Sequence, residues 1–484
     1  MTNKNESFCT FESVMEIIQY IGYVIYIITI IGTVLVVVSE NRNPIRTLAW
    51  VLVLILLPAV GIVLFYFFGQ NNRKIRKLSS KYNEWEGIRH AEFLIEEHYS
   101  NTPKAFISLS KLLSQVNDSL ILRGSKVEVI TVGTRKFEAL LNDIRGARNH
   151  IHMEYFIFNN DATGRKVKEV LMQKASEGVK VRFLYDNVAN IGVPSGFYNE
   201  MSKAGVEVCP FMKIRFASFR SRVNYRNHRK VVVIDGKVGY IGGMNVGDEY
   251  AIKPTWRDTH LRIEGRGVYA LQVNFFRDWL STLERKFKDD GGHYFPSCNI
   301  YTNNLLQIAS GGPNTQWSNL HQATLSAIIS SQKYLYIQTP YFLPTDSIFE
   351  ALQTAALSGV DVRLMVSRKS DSFYVDPAAR SYYCELLRAG LRIFEHQTKF
   401  IHAKTIVADD YLSVIGSANM DFRSFEMNFE INCYLYDTDL AIENKAVFFD
   451  DLEGCKEVFL EEWEKRSWWK RVIESLMRLF APLM

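Results

Sequence analysis

Two histidines lie far apart in the chain in matching surroundings. His228 and Lys230 open the run His-Arg-Lys-Val-Val-Val-Ile-Asp, which ends at Asp235; His402 and Lys404 open His-Ala-Lys-Thr-Ile-Val-Ala-Asp, which ends at Asp409. Side chains alternate along a strand, so each histidine and its lysine share one face. The apolar residues behind them, Val231 to Ile234 and Thr405 to Val407, read as strands buried on both faces. An imidazole exchanges protons near neutral pH, where its ordinary pKa of about 6.5 lies. A lone His-x-Lys would be an ordinary strand histidine, but two copies with Asp five beyond the Lys form a pattern.

Small residues and an asparagine follow each copy: Gly242-Gly243-Met-Asn245 and Gly416-Ser417-Ala-Asn419. Small residues let a backbone approach a ligand closely. Gly243, Ser417, Asn245 and Asn419 are therefore candidate substrate-binding positions, the asparagines as donors to phosphate oxygens. A plain strand-to-helix turn would look the same.

The elements that position these residues also occur twice. Gly178-Val-Lys-Val-Arg-Phe-Leu matches Gly359-Val-Asp-Val-Arg-Leu-Met, and Ala204-Gly-Val-Glu-Val matches Ala389-Gly-Leu-Arg-Ile, at offsets of 181 and 185 residues; the histidine motifs are offset by 174. Short β-branched runs alternate with longer amphipathic stretches, which predicts βαβ units, a mainly parallel sheet and helices on its faces. The expected fold class is α/β, with two duplicated lobes related by a pseudo-twofold axis, at 116–292 and 293–484, and a seam near Gly291-Gly292.

The order His-Lys, Gly-Gly or Gly-Ser, Asn, present twice, resembles the phospholipase D superfamily from about residue 130 to 484. Within it, Asn227-His-Arg-Lys-Val-Val-Val-Ile-Asp, Gly416-Ser-Ala-Asn-Met-Asp-Phe-Arg-Ser and Gln338-Thr-Pro-Tyr-Phe resemble the bacterial cardiolipin synthases. The resemblance implies that one histidine attacks a phosphodiester phosphorus to give a phosphohistidine. The other protonates the departing alcohol and then takes a proton from the incoming one. The lysines hold the non-bridging oxygens. It implies no metal and no other cofactor. By family analogy His228 is the nucleophile and His402 the acid/base, an order the sequence alone leaves open. The candidate catalytic set is His228, Lys230, Asp235, His402, Lys404 and Asp409. Each ring also needs an acceptor on its other nitrogen, and the family places a carboxylate where Asp258 and Glu430 stand, 30 and 28 residues after the respective histidines. Asp235 and Asp409 then read equally as local structural partners. Glu154 and Gln338, at similar strand positions, are further pocket candidates.

The first seventy residues are of another kind. Ile17–Val38 and Leu48–Phe68 carry no charge, and each is long enough to cross a hydrocarbon core of roughly 30 Å. Two crossings (17–38 and 48–68) are expected, although Pro58 and Gly61 allow a kinked or re-entrant second run. Arg42 and Arg46 lie between the runs; Arg73-Lys74-Ile75-Arg76-Lys77 and Lys81 follow them and place the body on the cytoplasmic side. Residues 71–115 read as a basic polar linker. The expected site is the bacterial cytoplasmic membrane, as a multi-pass protein.

The 484 residues are 47% hydrophobic and 23% charged, with a net charge of +5, which excludes a disordered or low-complexity chain. The six cysteines are dispersed, include no CxxC pair, and read as free thiols; no zinc-ligand spacing occurs. Between Phe211 and Ile234 there is no acidic residue, while seven Lys or Arg side chains alternate with aromatics, a pattern that suits nucleic acid or an anionic bilayer. Near the C-terminus Trp469, Val472, Ile473, Leu476, Leu479 and Phe480 share a helical face opposite Lys470, Arg471 and Arg478, with Trp463 and Trp468 close by. That fits an interfacial helix or one laid on the second lobe. The hydrophobic N-terminus favours lipid over nucleic acid. The resulting expectation is phosphatidyl transfer between two phosphatidylglycerol molecules. A phospholipase D-type hydrolase, a transferase to another alcohol, a metal-independent nuclease and a lipid-binding scaffold are the alternatives. Phosphatidylglycerol and anionic membrane lipids are the expected partners, and a homo-oligomer is left open.

Overall fold

The first hydrophobic run forms one unbroken helix, Asn3–Ser39, and the second does not. The computed structural model describes residues 3–39, 44–65, 103–212, 225–253, 255–283, 291–300, 302–479 and 481. Met15–Leu35 is the one helical stretch among the described residues long and apolar enough to cross a membrane. The second run splits at Leu57 into helices Pro44–Leu56 and Pro58–Leu64. Pro58 lacks an N–H and restricts the residue before it, and Leu57 leaves the helical region with φ −132° and ψ 64°. At about 1.5 Å per residue, neither piece spans a core of roughly 30 Å. The expected pair of crossings is therefore corrected to one candidate span, and a multi-pass anchor is not supported. Residues 66–68, Arg42, the Arg73–Lys77 cluster and Lys81 lie outside the described residues. The N-terminal segment forms a unit separate from the body that carries the two motifs.

Among the described residues the body contains two large sheets and two short two-stranded pairings. In chain order the strands are β1 (Leu122–Arg123), β2 (Ser125–Ile130), β3 (His150–Tyr155), β4 (Lys180–Asp186), β5 (Glu207–Phe211), β6 (Lys230–Ile234), β7 (Val238–Gly242), β8 (Trp256–Arg257) and β9 (His260–Gly265). They continue as β10 (Leu305–Gly311), β11 (Tyr334–Gln338), β12 (Phe342–Leu343), β13 (Asp361–Ser367), β14 (Arg392–His396), β15 (Phe400–Ile401), β16 (Thr405–Ala408), β17 (Leu412–Gly416), β18 (Met420–Asp421), β19 (Glu430–Tyr436) and β20 (Cys455–Val458). The first sheet has the order β2-β9-β7-β6-β3-β4-β5; the second repeats it as β10-β19-β17-β16-β11-β13-β14 and adds β1 and β20 at its edges. The same topology in both halves shows the duplication in the backbone itself.

The sheets are mixed, where a mainly parallel arrangement was expected. Within the two large sheets only β3-β4-β5 and β11-β13-β14 run parallel; the motif strands β6 and β16 are antiparallel to their neighbours. The cause is local. β6 joins β7 through Asp235 and Gly236, both with positive φ (53° and 64°), and β16 joins β17 through Asp409 and Asp410, at 54° and 51°. Two consecutive positive-φ residues make a tight hairpin, and so short a link cannot cross over to a parallel strand.

One hydrophobic cluster joins the halves: Val231, Ile241, Leu261 and Ile263 of the first sheet meet Ile415, Ile431, Cys433 and Leu435 of the second. Helices such as Gly267–Thr282 and Thr438–Leu452 pack on the sheets. The boundary at 116 is also corrected. Helix Ile107–Asn117 buries Leu109 and Leu113 in the core of the second half. Asn117 exchanges two hydrogen bonds with the Ser310 backbone there. Most of the expected linker, up to residue 102, lies outside the described residues.

Helix Trp468–Arg478 is turned inside out. It buries Glu474 against Arg466 and exposes Trp468, Trp469, Ile473, Leu476 and Leu479. Phe480 and the basic segment 213–224 lie outside the described residues. Cys209, Cys298, Cys384, Cys433 and Cys455 are free thiols.

Candidate active site

Both motif histidines sit just ahead of their strands, where each half reaches into the other. The His228 N–H donates to the Phe429 carbonyl at 2.9 Å, and the His402 N–H to the Arg257 carbonyl at 2.7 Å. β15, which leads into His402, pairs in parallel with β8, which leads into Asp258. The backbone thus sets each histidine beside the carboxylate-bearing segment of the opposite half.

The side chains follow that crossing. His228 Nδ1 lies 2.8 and 2.9 Å from the two oxygens of Glu430, and His402 Nδ1 lies 2.6 Å from Asp258 Oδ2. With Nδ1–H donated to a carboxylate, Nε2 carries the lone pair. Spacing along the sequence could not say which carboxylate serves which ring; the structure pairs each with the histidine of the other half.

The four cationic or imidazole groups are buried together and feel one another's charge. Burial pulls His228 down to about 4, with Glu430 opposing and Lys230 and Lys404 assisting. Burial and Lys404 pull His402 down to about 3, against Asp258. Lys230 falls to about 7 and Lys404 to about 8, in each case chiefly by burial, with Glu430 and Asp258 as the leading restraints respectively. Burial resists ionisation of Glu430 and Asp258, but His228 and Lys230 hold the first, and Lys404 and His402 the second, below the usual carboxylate range. The result is two neutral imidazoles, two ionised carboxylates and two ammonium groups that lose their protons near neutrality. A phosphodiester anion entering among them favours the charged form of both lysines.

Several candidates support these groups instead of lining the cleft. A Cβ on Gly243 would overlap Asp258 Oδ1, so only glycine leaves room for that carboxylate. At the equivalent place in the second half, Ser417 Oγ donates to Glu430 Oε2 at 2.5 Å and accepts from the Ile431 N–H at 2.9 Å. Asn245 accepts from the Ile157 N–H and donates to the Tyr250 hydroxyl, which lies 3.5 Å from His402 Nδ1. Asn419 donates to Asp421 Oδ2 at 3.1 Å. Gly243, Ser417 and Asn245 are thus held in the frame of the two rings, whereas Asn419 Oδ1 is buried without a hydrogen-bond partner among the described residues and lines a pocket with Lys404.

Asp235 and Asp409 are likewise removed from the reacting set. Each forms the hairpin turn at the far end of its motif strand, and its carboxylate receives three backbone N–H groups: Arg148, Asn149 and His150 for Asp235, and Gln332, Lys333 and Tyr334 for Asp409. They tie β6 to β3 and β16 to β11, and so fix where the lysines emerge. Glu154 and Gln338 lie opposite the residues that follow the lysines, Val231 and Thr405. Glu154 accepts from Asn227, and Gln338 bonds Asp451 and Thr405.

The sequence reading passed over an aromatic frame. The rings of Trp256, Tyr250 and Phe400 lie 5.1, 5.7 and 5.8 Å from that of His402, and Phe156 lies 4.7 Å from His228 in an edge contact. Two of them were signalled: Trp256 precedes Asp258 by two residues and Phe400 precedes His402 by two, the spacing that keeps strand side chains on one face.

Comparison with known proteins matches residues 140–279 and 324–452, more than half of the chain, to a family described as "Cardiolipin synthase, PLD-like domain". The chain belongs to the cardiolipin synthase family. Residues 18–70 match a second family, described as "Phospholipase_D-nuclease N-terminal". A cardiolipin synthase of Halalkalibacterium halodurans is 38% identical over 471 residues, covering 93% of this chain and 91% of that protein. Cardiolipin synthase 2 of Bacillus anthracis is 38% identical over 93% of this chain and 89% of its own length. The Listeria monocytogenes serotype 4a cardiolipin synthase is 38% identical over 92% and 95%. The crystal structure of phosphatidylserine synthase from Haemophilus influenzae Rd KW20 shares the fold: TM-score 0.58 at 15% identity, covering 78% of this chain and 97% of that one. Membership in the cardiolipin synthase family makes the chain a phospholipase D-type phosphatidyltransferase of bacterial lipid synthesis, and its apolar N-terminal helix associates it with the membrane.

Proposed function

We propose that the chain transfers a phosphatidyl group from one phosphatidylglycerol to a second, giving cardiolipin and glycerol, with His228 as nucleophile. The observation that carries this reading is the crossed pair of contacts, Glu430 on His228 and Asp258 on His402. His228 Nε2 attacks phosphorus, and the ring becomes a phosphorylated cation that Glu430 grips with both oxygens. The bond from phosphorus to the glycerol oxygen breaks, and that oxygen takes the Nε2 proton that His402 draws from solvent when the phosphodiester anion binds beside it. The second phosphatidylglycerol then gives its hydroxyl proton to His402 as its oxygen attacks phosphorus. The nitrogen–phosphorus bond breaks and its electron pair returns to His228. His402 fits the acid/base task because its Nδ1 is contested by Asp258 at 2.6 Å and Lys404 at 2.9 Å, so its proton affinity responds to an anion arriving beside Lys404. Lys230 and Lys404 hold the non-bridging oxygens. Gly243, Ser417, Asn245, Asp235 and Asp409 position these groups.

The reading places the chain in the bacterial cytoplasmic membrane with its body on the cytoplasmic face, supported by the Met15–Leu35 helix and the basic residues that follow the second hydrophobic run. The exposed apolar face of Trp468–Arg478, flanked by Lys470 and Arg471, suits the surface of an anionic bilayer. Mass spectrometry of products from isotopically labelled phosphatidylglycerol tests the proposal. Cardiolipin with label in both halves is expected, and phosphatidic acid as the sole product would assign hydrolysis instead.

A further inference from the structure

A cavity of about 350 Å³ opens beside His402, and no step of the transfer uses it. Arg368, Lys369, His396, Lys399, Phe400 and Thr255 line it, and no carboxylate does. Arg368 and Lys369 leave the end of β13, and Lys399 and Phe400 lead into His402. β13 and β14 run parallel with Ser367 opposite His396, so both segments emerge at the same end of the sheet. Arg368 donates to Gln397 Oε1 at 3.1 Å, and among the described residues neither lysine has an ion pair. Phe400 is the wall shared with the reacting groups, its ring 5.8 Å from that of His402 and 4.8 Å from that of Trp256. The loop after β13 also reaches the reacting groups: Tyr341 donates to Asp371 at 2.6 Å, and the charge of Asp371 is felt at Lys404 and Tyr250. The first half has no counterpart here, since Asn187 and Val188 follow β4 where Arg368 and Lys369 follow β13.

We propose that this basic cavity holds the phosphodiester of the acceptor lipid. The inference rests on the transfer reading above. When one anionic phospholipid attacks another, the acceptor brings a second phosphodiester that does not react and must be neutralised near the base that deprotonates its hydroxyl. That base is His402, and the acceptor's glycerol bridges the distance between it and the cavity. Water or a neutral alcohol carries no such charge, so the three cations favour a lipid acceptor over both.

The test uses the full-length enzyme in phosphatidylglycerol vesicles and compares two rates. Exchange of labelled glycerol into phosphatidylglycerol needs the donor lipid and the histidines only, whereas cardiolipin formation also needs the acceptor lipid. In Lys369→Ala/Lys399→Ala the ratio of cardiolipin formation to glycerol exchange should fall by about tenfold or more, with a raised KM for phosphatidylglycerol in synthesis, and Lys369→Arg/Lys399→Arg should restore it. An unchanged ratio, or a parallel loss of both rates, would overturn the assignment. So would inorganic phosphate that inhibits the native enzyme but not the alanine variant while the ratio stays unchanged, since that pattern marks a free-phosphate site. If the unaltered enzyme made neither product, the transfer reading itself would fall, and the cavity's role with it.

Discussion

The neighbourhoods of His228 and His402 share a backbone plan but not a charge plan. Behind His228 lie Glu154 on β3, Asp186 at the end of β4 and Asp278 on the helix after β9; at the corresponding places behind His402 lie Gln338, Ser367 and Asp451. The contacts correspond even where the residues differ. Asp186 accepts the N–H of Asn227, just before His228, and Ser367 Oγ accepts the N–H of Ile401, just before His402. Arg229 pairs with Asp278, and Arg257, from the first half, pairs with Asp451. Three acids behind one histidine therefore face one acid behind the other. Burial, with Asp278 beside it, pushes Glu154 well above the carboxylate range, so it keeps its proton. The duplicated fold fixes where groups stand, and substitution at the duplicated places lets two equivalent imidazoles take different tasks.

The largest effect expected falls on the histidines themselves. His228→Ala and His402→Ala should each lower kcat by at least about 100-fold. They should part company on a substrate whose leaving group needs no proton: a 4-nitrophenyl phosphodiester should recover much of its first-turnover release of nitrophenol in His402→Ala and none in His228→Ala. Equal behaviour of the two variants would erase the division of labour.

Next come the carboxylates, which test the crossing. Asp258→Asn should slow transfer by about 10- to 100-fold and share the leaving-group rescue of His402→Ala, although Asp258 belongs to the half that carries His228. Glu430→Gln should behave as His228→Ala does, without rescue. Gly243→Ala, which drives a methyl group into Asp258, should reproduce Asp258→Asn. The reverse pattern of rescue would mean that each carboxylate serves the histidine of its own half.

How much of this was legible in the chain follows from how local each feature is. The motif, its repetition and the strand faces of His228 and Lys230 depend on neighbours in sequence and could be read there. The Asp-Gly at 235–236 is also a hairpin signal, but a three-residue link inside a βαβ pattern is outweighed by the alternation, so the mixed sheets were missed. The crossing could not be read, because it comes from β15 pairing with β8 across more than a hundred residues. Nor could the partners of Arg229 and Arg257, which look alike in sequence but pair with acids of different halves. Pro58 carried its own warning, and the second hydrophobic run broke there.

A smaller effect is expected from pH. The lysines are charged below about 7 and 8 and lose that charge above, so kcat/KM for phosphatidylglycerol should fall as pH rises through that window. On the acid side it should fall as the imidazoles take up protons toward pH 4. A profile flat from pH 6 to 9 would contradict the charge assignment at the lysines.

The smallest effect concerns the asymmetry itself. A carboxyl whose folded pKa is raised takes up a proton on folding, so it costs stability increasingly as pH climbs above its ordinary range. Glu154→Gln puts the residue of the second half into the first and removes that cost. It should raise Tm by about 1–3 °C at pH 8 and leave Tm nearly unchanged at pH 4, with calorimetry as the measurement. A lower Tm at pH 8 would show that Glu154 is ionised in the fold.

The most direct test of the two-histidine account is to trap the covalent intermediate. A ³²P-labelled 4-nitrophenyl phosphodiester, whose leaving group needs no proton, should leave acid-labile label on His228 in the His402→Ala enzyme, where no base remains to activate the next alcohol, and no label in His228→Ala. Label on any other residue, or label retained in His228→Ala, would contradict the account.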